Sequence, residues 1–550
     1  MKFLRVLVNC LIGSLFFCLL LAFLVVDLNI NLVLTPFLLF TLTAFLMISY
    51  GLLMTLASLC VYYIYHFVTG KKGRTGFVSA SFLTLSFSLL TLVFLVIFRE
   101  NYAYFSSFFS ASLPTLLQIQ MMALFLVATA GFVFHYRHHR RKPRRLYLIA
   151  FFALLGMVLG LALILRLSYP RLGKPAKLSA IEAVVIEKKI TILGLDGLSL
   201  DFILPLSSER KLPNFTWLME GGSWGRLENF TPNEFSVLDH SFNTGKLPGK
   251  HRLISEVQYR IPGIRDKIEV VPRFILFRQL KRIGLLKVLP NDPPPMTKDL
   301  WKIFEDYGAP FVKEGRPQAG PIPVAMSPKT EKLFLSFYKD FQFETSKIFS
   351  QVKQAFYRDS EAEDEAWQIK TEAQPQLFSL FLDGLNTAET YFYKYSFPDA
   401  FGEIRQEEIQ KYGPVIEKYY EFYDQIIGKY LAALKEDELL VVYSPHGIEP
   451  LPFWKRLVEW ILGNAAVSSY HEQAPDGAIF FYGKDIVRGK NIEGMKLVDI
   501  VPSLLYDLGL PVGKDMDGIV HGSLFLPAFT EENPIFYITS YEDVNIRKIQ

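Results

Sequence analysis

Asp196 closes a short apolar run, Ile192-Leu193-Gly194-Leu195, and Gly197 follows it. A buried parallel strand that presents a carboxylate at its C-terminal edge has this pattern. A second run, Leu439 to Tyr443, ends in Ser444-Pro445-His446-Gly447. A further imidazole stands in Ser469-Tyr470-His471, ahead of Asp476-Gly477. Carboxylate and imidazole side chains are the groups that bind divalent ions and move protons. The same groups also serve structure: a histidine can simply be hydrogen-bonded, and a strand-end carboxylate can cap the next helix. Both readings stay open for Asp196, His446 and His471.

Other polar residues sit nearby in the chain. Asn386 and Thr390 are i and i+4 on an expected helix and share a face, with Glu389 close to that face and Asp383 one turn earlier. Asp239 and His240 are adjacent, shortly after Ser236.

These residues need a frame, and the sequence supplies one. Strand-like runs at Ile190 to Leu195, Leu377 to Leu382 and Leu439 to Tyr443 alternate with helical stretches near 198–221 and 405–435. That alternation predicts an α/β sandwich with a mainly parallel sheet. Residues 255–375 are less regular, with Pro-rich pieces at Asn291 to Pro295 and Gly320 to Pro323, and read as a cap inserted over the sheet. Residues 169–189 form a polar linker, 190–525 the globular domain and 526–550 a C-terminal tail.

The chain is 51% hydrophobic, and the excess lies almost wholly before residue 170. Runs at about 4–26, 34–66, 76–98, 114–135 and 146–168 are long enough to span a bilayer. The first is read as a retained anchor, because its apolar stretch is long for a signal peptide and no small-residue cleavage site follows. The second is long for one span and suits a tilted helix or an interfacial extension. Basic clusters, Lys71-Lys72-Gly73-Arg74 and Arg137 to Arg145, separate spans two and three and spans four and five. Five spans place both clusters and the N-terminus in the cytoplasm, and the C-terminal domain outside. The basic loops read as topology determinants rather than lipid sites. A net charge of +4 gives no case for nucleic-acid binding. Cys10, Cys18 and Cys60 all fall in apolar segments, so the globular part can form no disulfide.

Seven stretches carry a likeness. They are Gly194 to Gly197, Leu212 to Phe215, Gly221 to Gly225, Thr244 to His251, Tyr419 to Asp424, Ser444 to Gly447, and Asp499 to Leu505 with Gly509 to Pro511 and Asp515 to Gly518. In this order they resemble the type I phosphodiesterase/nucleotide pyrophosphatase family of the alkaline phosphatase superfamily, over roughly 190–525. The resemblance implies two zinc-like ions about 4 Å apart that clamp the oxygens of a phosphate ester, and a Thr or Ser that attacks phosphorus. It makes Asp196, His446 and His471 metal ligands. It also exposes three misfits: Asn386 and Pro445 stand where Asp is expected, and Thr390 where His is expected. The family spacing, counted back from Thr244-Gly245, lands on Phe235, and a one-residue deletion would let Ser236 be the nucleophile. Thr231 is a weaker candidate, and Arg252 follows His251 where Gly is usual.

Changes even in the residues behind metal ligands typically cost ~10–100-fold in affinity. Three changed ligand positions argue against a two-ion clamp and leave at most one divalent ion, zinc or manganese. Asp239, His240 and Glu389 are the residues that could rebuild a site. One expected function is therefore a degenerate, externally facing binding or scaffolding module, a pseudoenzyme partnered by membrane lipids and membrane or envelope proteins. In a double-membrane cell its domain would be periplasmic. The other is an active metal-dependent phosphodiesterase or lipid head-group phosphotransferase, since five spans and an exported domain resemble the layout of phosphoethanolamine transferases and lipoteichoic acid synthases. A transporter is disfavoured, because no span carries a charge near its middle.

Overall fold

A computed structural model describes residues 2–69, 77–109, 113–138, 145–167, 179–182, 184–273, 284, 286–291, 297–315, 327–341, 344–473 and 475–547. The Lys71–Arg74 cluster, most of the Arg137–Arg145 cluster, most of the linker and the cores of both Pro-rich pieces lie outside the described residues. The chain divides into two compact units, Met1–Lys174 with Pro248–Pro294, and Pro175–Leu247 with Pro295–Gln550.

The first unit contains helices α1 (Lys2–Leu28), α2 (Pro36–Leu46), α3 (Leu52–Thr69), α4 (Ala80–Tyr104), α5 (Leu113–His138) and α6 (Arg145–Leu167). Thr35 starts α2 by accepting from Leu38 N at 3.1 Å, and Pro36 takes the first helical position, where its missing N–H costs nothing. A π-turn, Met47–Gly51, joins α2 to α3. Among the described residues, three helical stretches are long and apolar enough to cross a membrane: Phe3–Leu28, Pro36–Val68 and Phe82–Tyr104. Gln118–Val133 and Ile149–Leu161 are shorter apolar helices within the described residues. The 33 residues of Pro36–Val68 make a helix about 50 Å long, well beyond a ~30 Å hydrocarbon core. This agrees with a tilted or extended second span.

Pro248–Pro294 belongs to this helical unit, which divides the expected cap. The cause is a row of amide side chains at helix ends. Asn29, just past α1, accepts from the Glu269 and Val270 N–H groups at 2.8 Å and donates to Val270 O at 2.7 Å. Asn31 donates to Arg252 O and to Glu269 Oε2, at 3.0 and 2.6 Å. Asn101, in the last turn of α4, accepts from Arg273 N at 2.6 Å and donates to Arg273 O. Ile254, Ile261, Ile268 and Val270 then bury in one apolar cluster with Leu24, Val25, Phe94 and Phe98. Within the segment, Val257–Arg260 pairs antiparallel with Lys287–Pro290. By contrast, the part of the expected cap from Leu300 onward packs with the sheet.

The second unit is built on a seven-stranded sheet. Its strands are β1 (Lys189–Leu195), β2 (Ser223–Glu228), β3 (Phe311–Glu314), β4 (Leu377–Leu382), β5 (Glu438–Ser444), β6 (Gly477–Tyr482) and β7 (Lys490–Lys496). The spatial order is β7-β2-β6-β5-β1-β4-β3. The pairs β7·β2, β5·β1, β1·β4 and β4·β3 are parallel, and β6 alone runs against both its neighbours. The sheet is therefore mixed, with a parallel centre. Alternate residues bury on opposite faces: Leu193 and Leu195 join one core, Ile190 and Ile192 the other. This two-sided burial explains why the central strands read as continuous apolar runs.

The helices needed for the site are α7 (Leu200–Ser208), α8 (Phe235–Thr244), α9 (Lys347–Ala373), α10 (Gly384–Ser396), α11 (Pro414–Ala433) and α12 (Phe453–Ile461). Two expected long helices are divided. The 198–221 stretch is α7 plus Pro213–Gly221, and the 405–435 stretch is Gln406–Tyr412 plus α11. In both cases a proline takes a first-turn position of the second helix, where it is tolerated but cannot continue the first.

Candidate functional site

Three parallel strands deliver the site residues to one edge. Asp196 follows β1, Asp383 follows β4, and Pro445 and His446 follow β5; Leu195 and Gly194 stand in register with Leu382 and Tyr443. Ligands in such sheets bind beyond the carboxyl ends of the strands. Ser444 ties two of these ends together, accepting from Gly197 N at 3.1 Å and donating to His446 O at 2.7 Å. Asn229 ties His446's loop to the one carrying His471, donating to Pro445 O and Pro475 O at 2.9 and 3.2 Å. Asn233 holds His471 O at 2.9 Å. Single-sequence reading does not single out Asn229 or Asn233, because an Asn in a loop carries no signature of its partner.

The structure brings Asp196, His446, His471, Asn386 and Glu389 together. Asn386 Nδ2 donates to Asp196 Oδ2 at 2.9 Å. His446 Nε2 stands 3.2 Å from Asp196 Oδ1, yet that oxygen receives no aligned hydrogen bond. The imidazoles of His446 and His471 stack with centroids 4.3 Å apart. Gly197 has φ +95, and a Cβ there would come within 2.5 Å of Glu389 Oε2, which places Glu389 against the turn after Asp196. Glu389 is fully buried and accepts from Tyr420 on α11 at 3.2 Å through Oε1.

The electrostatics follow from burial. Desolvation raises the Asp196 carboxyl to about 6, against the opposing pull of His471 and Asn386. Desolvation lowers His446 to about 4, and His471 to about 4 with help from His446. Glu389 is pushed well above its ordinary range by the same cause, eased by Tyr420 and sharpened by Asp196. His446 and Asp196 are thus close without being an ion pair at neutral pH. The contact between His446 Nδ1 and Gly447 O, at 3.0 Å, makes Nδ1 the donor, since a carbonyl only accepts. Nε2 of the neutral ring therefore turns a lone pair toward Asp196. Asp196 Oδ1, Asn386 Oδ1, Glu389 Oε2, Asn229 Oδ1 and Asn233 Oδ1 are buried acceptors with no hydrogen-bond donor among the described residues.

This donor set does not fit a two-ion centre. Among the described residues no group of three or more His, Cys, Asp or Glu side chains is arranged to hold a metal ion. Asn386 turns its amide N–H, not its oxygen, toward Asp196. Thr390 uses its hydroxyl on Asn386 O, at 2.8 Å. Pro445 is buried and offers only a carbonyl, which Asn229 occupies.

The other sequence candidates have different surroundings. Asp239 pairs with Lys313 at 3.0 Å and with Asn243 at 2.9 Å. His240 is lowered by burial, and the charges that act on it are those of Asp299, Asp239, Lys313 and Lys302. Ser236 lies half-buried in the first turn of α8, next to Phe235, whose ring packs on Phe381 at 4.6 Å. Several of the seven stretches prove to be braces. Asp424 accepts from Asn214 N and Phe215 N at 3.0 and 2.8 Å, joining two of them. Asp517 accepts from Leu247 N at 2.8 Å, joining two more.

No family model matches the chain, and no curated protein matches it. Among solved structures, 59% of the chain aligns with 96% of murine ectonucleotide pyrophosphatase/phosphodiesterase 5, an inactive form in complex with AMP, at 12% identity and a TM-score of 0.35. The phosphonate monoester hydrolase of Silicibacter pomeroyi aligns over 61% of this chain and 76% of its own, at 14% identity and a TM-score of 0.35. Both likenesses are remote.

Proposed function

We propose that this chain is a membrane-anchored protein whose globular unit faces away from the cytoplasm and acts as a binding or scaffolding module on a degenerate phosphodiesterase-like frame. One observation carries the reading. The strand-end carboxylate Asp196 meets an amide N–H from Asn386 and a neutral imidazole, where a two-ion hydrolase needs further carboxylates. Its partners would be membrane lipids and envelope proteins. The outward orientation is supported by Pro248–Pro294, which is held at the C-terminal ends of α1 and α4. With five spans and a cytoplasmic N-terminus, the ends of α1 and α4 that hold this segment lie outside the cytoplasm.

A second reading, a single zinc or manganese ion among Asp196, His446 and His471, draws on the orphaned acceptors around them. Metal content of the full chain in detergent separates the two. The protein is equilibrated with zinc or manganese, freed of unbound ion and assayed for metal and for hydrolysis of a simple phosphodiester. The module reading expects less than one ion per chain and no turnover above the blank. One ion lost in His446→Ala supports the second reading. Two ions per chain with turnover overturn both.

A further inference from the structure

Between His446 and His471 the chain leaves the domain and returns. At its base Glu449–Pro450 pairs antiparallel with Ser469–Tyr470. Ser468 N and Ser469 Oγ bond to Thr390 O and Glu389 O, at 2.7 and 2.9 Å, so the base is fixed to α10 of the site. The excursion carries α12, and none of that helix's residues is buried. Phe453, Trp454, Val458, Trp460 and Ile461 are 64, 74, 51, 66 and 68% exposed. At 100° per residue the apolar side chains span an arc of about 160°, and Lys455, Arg456 and Glu459 lie on the opposite side. That polar edge faces the protein. Lys455 pairs with Glu472 at 2.5 Å and lies over the Tyr470 ring at 4.2 Å, and Arg456 lies over Phe401 at 5.0 Å. The helix is held by its cations and turns its aromatic side to solvent.

We infer that α12 is a membrane-interface helix that seats its apolar arc in a lipid leaflet. Short helices with Trp and Phe on one face and Lys or Arg on the other lie in the headgroup boundary. Lys455 and Arg456 are engaged with the protein, so the aromatic arc rather than charge is what the leaflet holds. A second copy of the chain is a poorer occupant. A nine-residue helix offers a footprint of about 14 Å by about 10 Å, far below the ~800 Å2 per partner of a stable interface. A bilayer held by helices of the same chain needs little intrinsic affinity, because tethering raises its effective concentration. The inference stands apart from the metal question, since it rests on the arm and not on the site chemistry.

All six Trp residues lie at or after position 217, so the apolar helices contribute no Trp emission. The full chain is reconstituted into phosphatidylcholine–phosphatidylglycerol vesicles, with and without bromine on the acyl chains. Brominated lipid is expected to remove up to about a third of the emission, because two of the six Trp residues lie on the arc. Trp454→Phe/Trp460→Phe is expected to abolish that loss. Val458→Asp/Ile461→Asp, which keeps both reporters, is expected to abolish it as well. Absence of quenching, or quenching that survives either variant, overturns the inference. So does a concentration-dependent dimer that Val458→Asp dissolves.

Discussion

Two buried carboxylates flank the first turn of α10 and are treated in opposite ways. Asp359, on α9, takes three donors on one oxygen: Tyr419 OH at 2.9 Å, Tyr423 OH at 2.8 Å and Gly384 N at 3.0 Å. Asp196, at the end of β1, has one donor from Asn386 and an oxygen with none, and Glu389 beside it likewise keeps a bare oxygen. A fold that buries a charge for rigidity supplies its hydrogen bonds from within. Bare buried acceptors also occur at structural joints, as at Asp507 Oδ2 beside Lys188. The contrast therefore lies in the donors the fold supplies, three side-chain and backbone groups for Asp359 against the Asn386 amide for Asp196.

The largest test of that contrast removes the brace. Asp359→Ala leaves two tyrosine hydroxyls and a backbone N–H buried without an acceptor, at ~1–3 kcal/mol for each. A loss of roughly 3–5 kcal/mol is expected from urea unfolding of the full chain in detergent. A loss below about 1 kcal/mol would mean that Asp359 is not structural. Next comes Gly197→Ala. Its φ of +95 and the 2.5 Å approach to Glu389 Oε2 should cost about 2–3 kcal/mol. Gly197→Ala combined with Glu389→Gln should recover little, because the backbone strain remains.

Removing the site carboxylate should act in the opposite direction. In Asp196→Asn the new oxygen still accepts from Asn386, and the new N–H2 faces the lone pair of His446 Nε2. The variant is expected to gain about 0.5–2 kcal/mol, the usual sign when a residue kept for function is replaced. If Asp196→Asn loses stability as Asp359→Ala does, the two carboxylates are alike and the contrast fails.

How far the sequence announced this arrangement depends on the distance over which each feature is encoded. The central strands and the edge where Asp196 and His446 stand were readable, because two-sided burial writes itself as short apolar runs with a polar end. The breaks before Pro213 and Pro414 were written there too, in the prolines themselves. The place of Pro248–Pro294 was not, since Asn29 and Asn101 look like ordinary ends of apolar runs until their partners, about 240 and 172 positions away, are known. Glu389 was visible as a candidate, but its pairing with Tyr420 was not, nor was the contrast with Asp359. Hydrogen bonds between side chains on separate helices leave no local period in the sequence.

A pH dependence isolates the brace again. Burial, then Asp383, raises the Asp359 carboxyl to about 7 against the opposing pull of Tyr423 and Tyr419, from an ordinary 3.8. A carboxyl raised on folding stabilises the folded state fully below its unfolded value and loses that contribution as pH climbs through the folded one. Wild-type stability should therefore fall, relative to Asp359→Asn, as pH goes from about 4 to about 7, and the gap should level off above that. Asn keeps an acceptor for the tyrosines and cannot ionise, so the difference between the two proteins removes the titrations they share. Thermal unfolding at half-unit steps should show the Tm difference drifting toward the variant, by the equivalent of roughly 4 kcal/mol for the full shift. A difference that stays flat across this range would mean that Asp359 is ionised throughout, and that its three donors outweigh its burial.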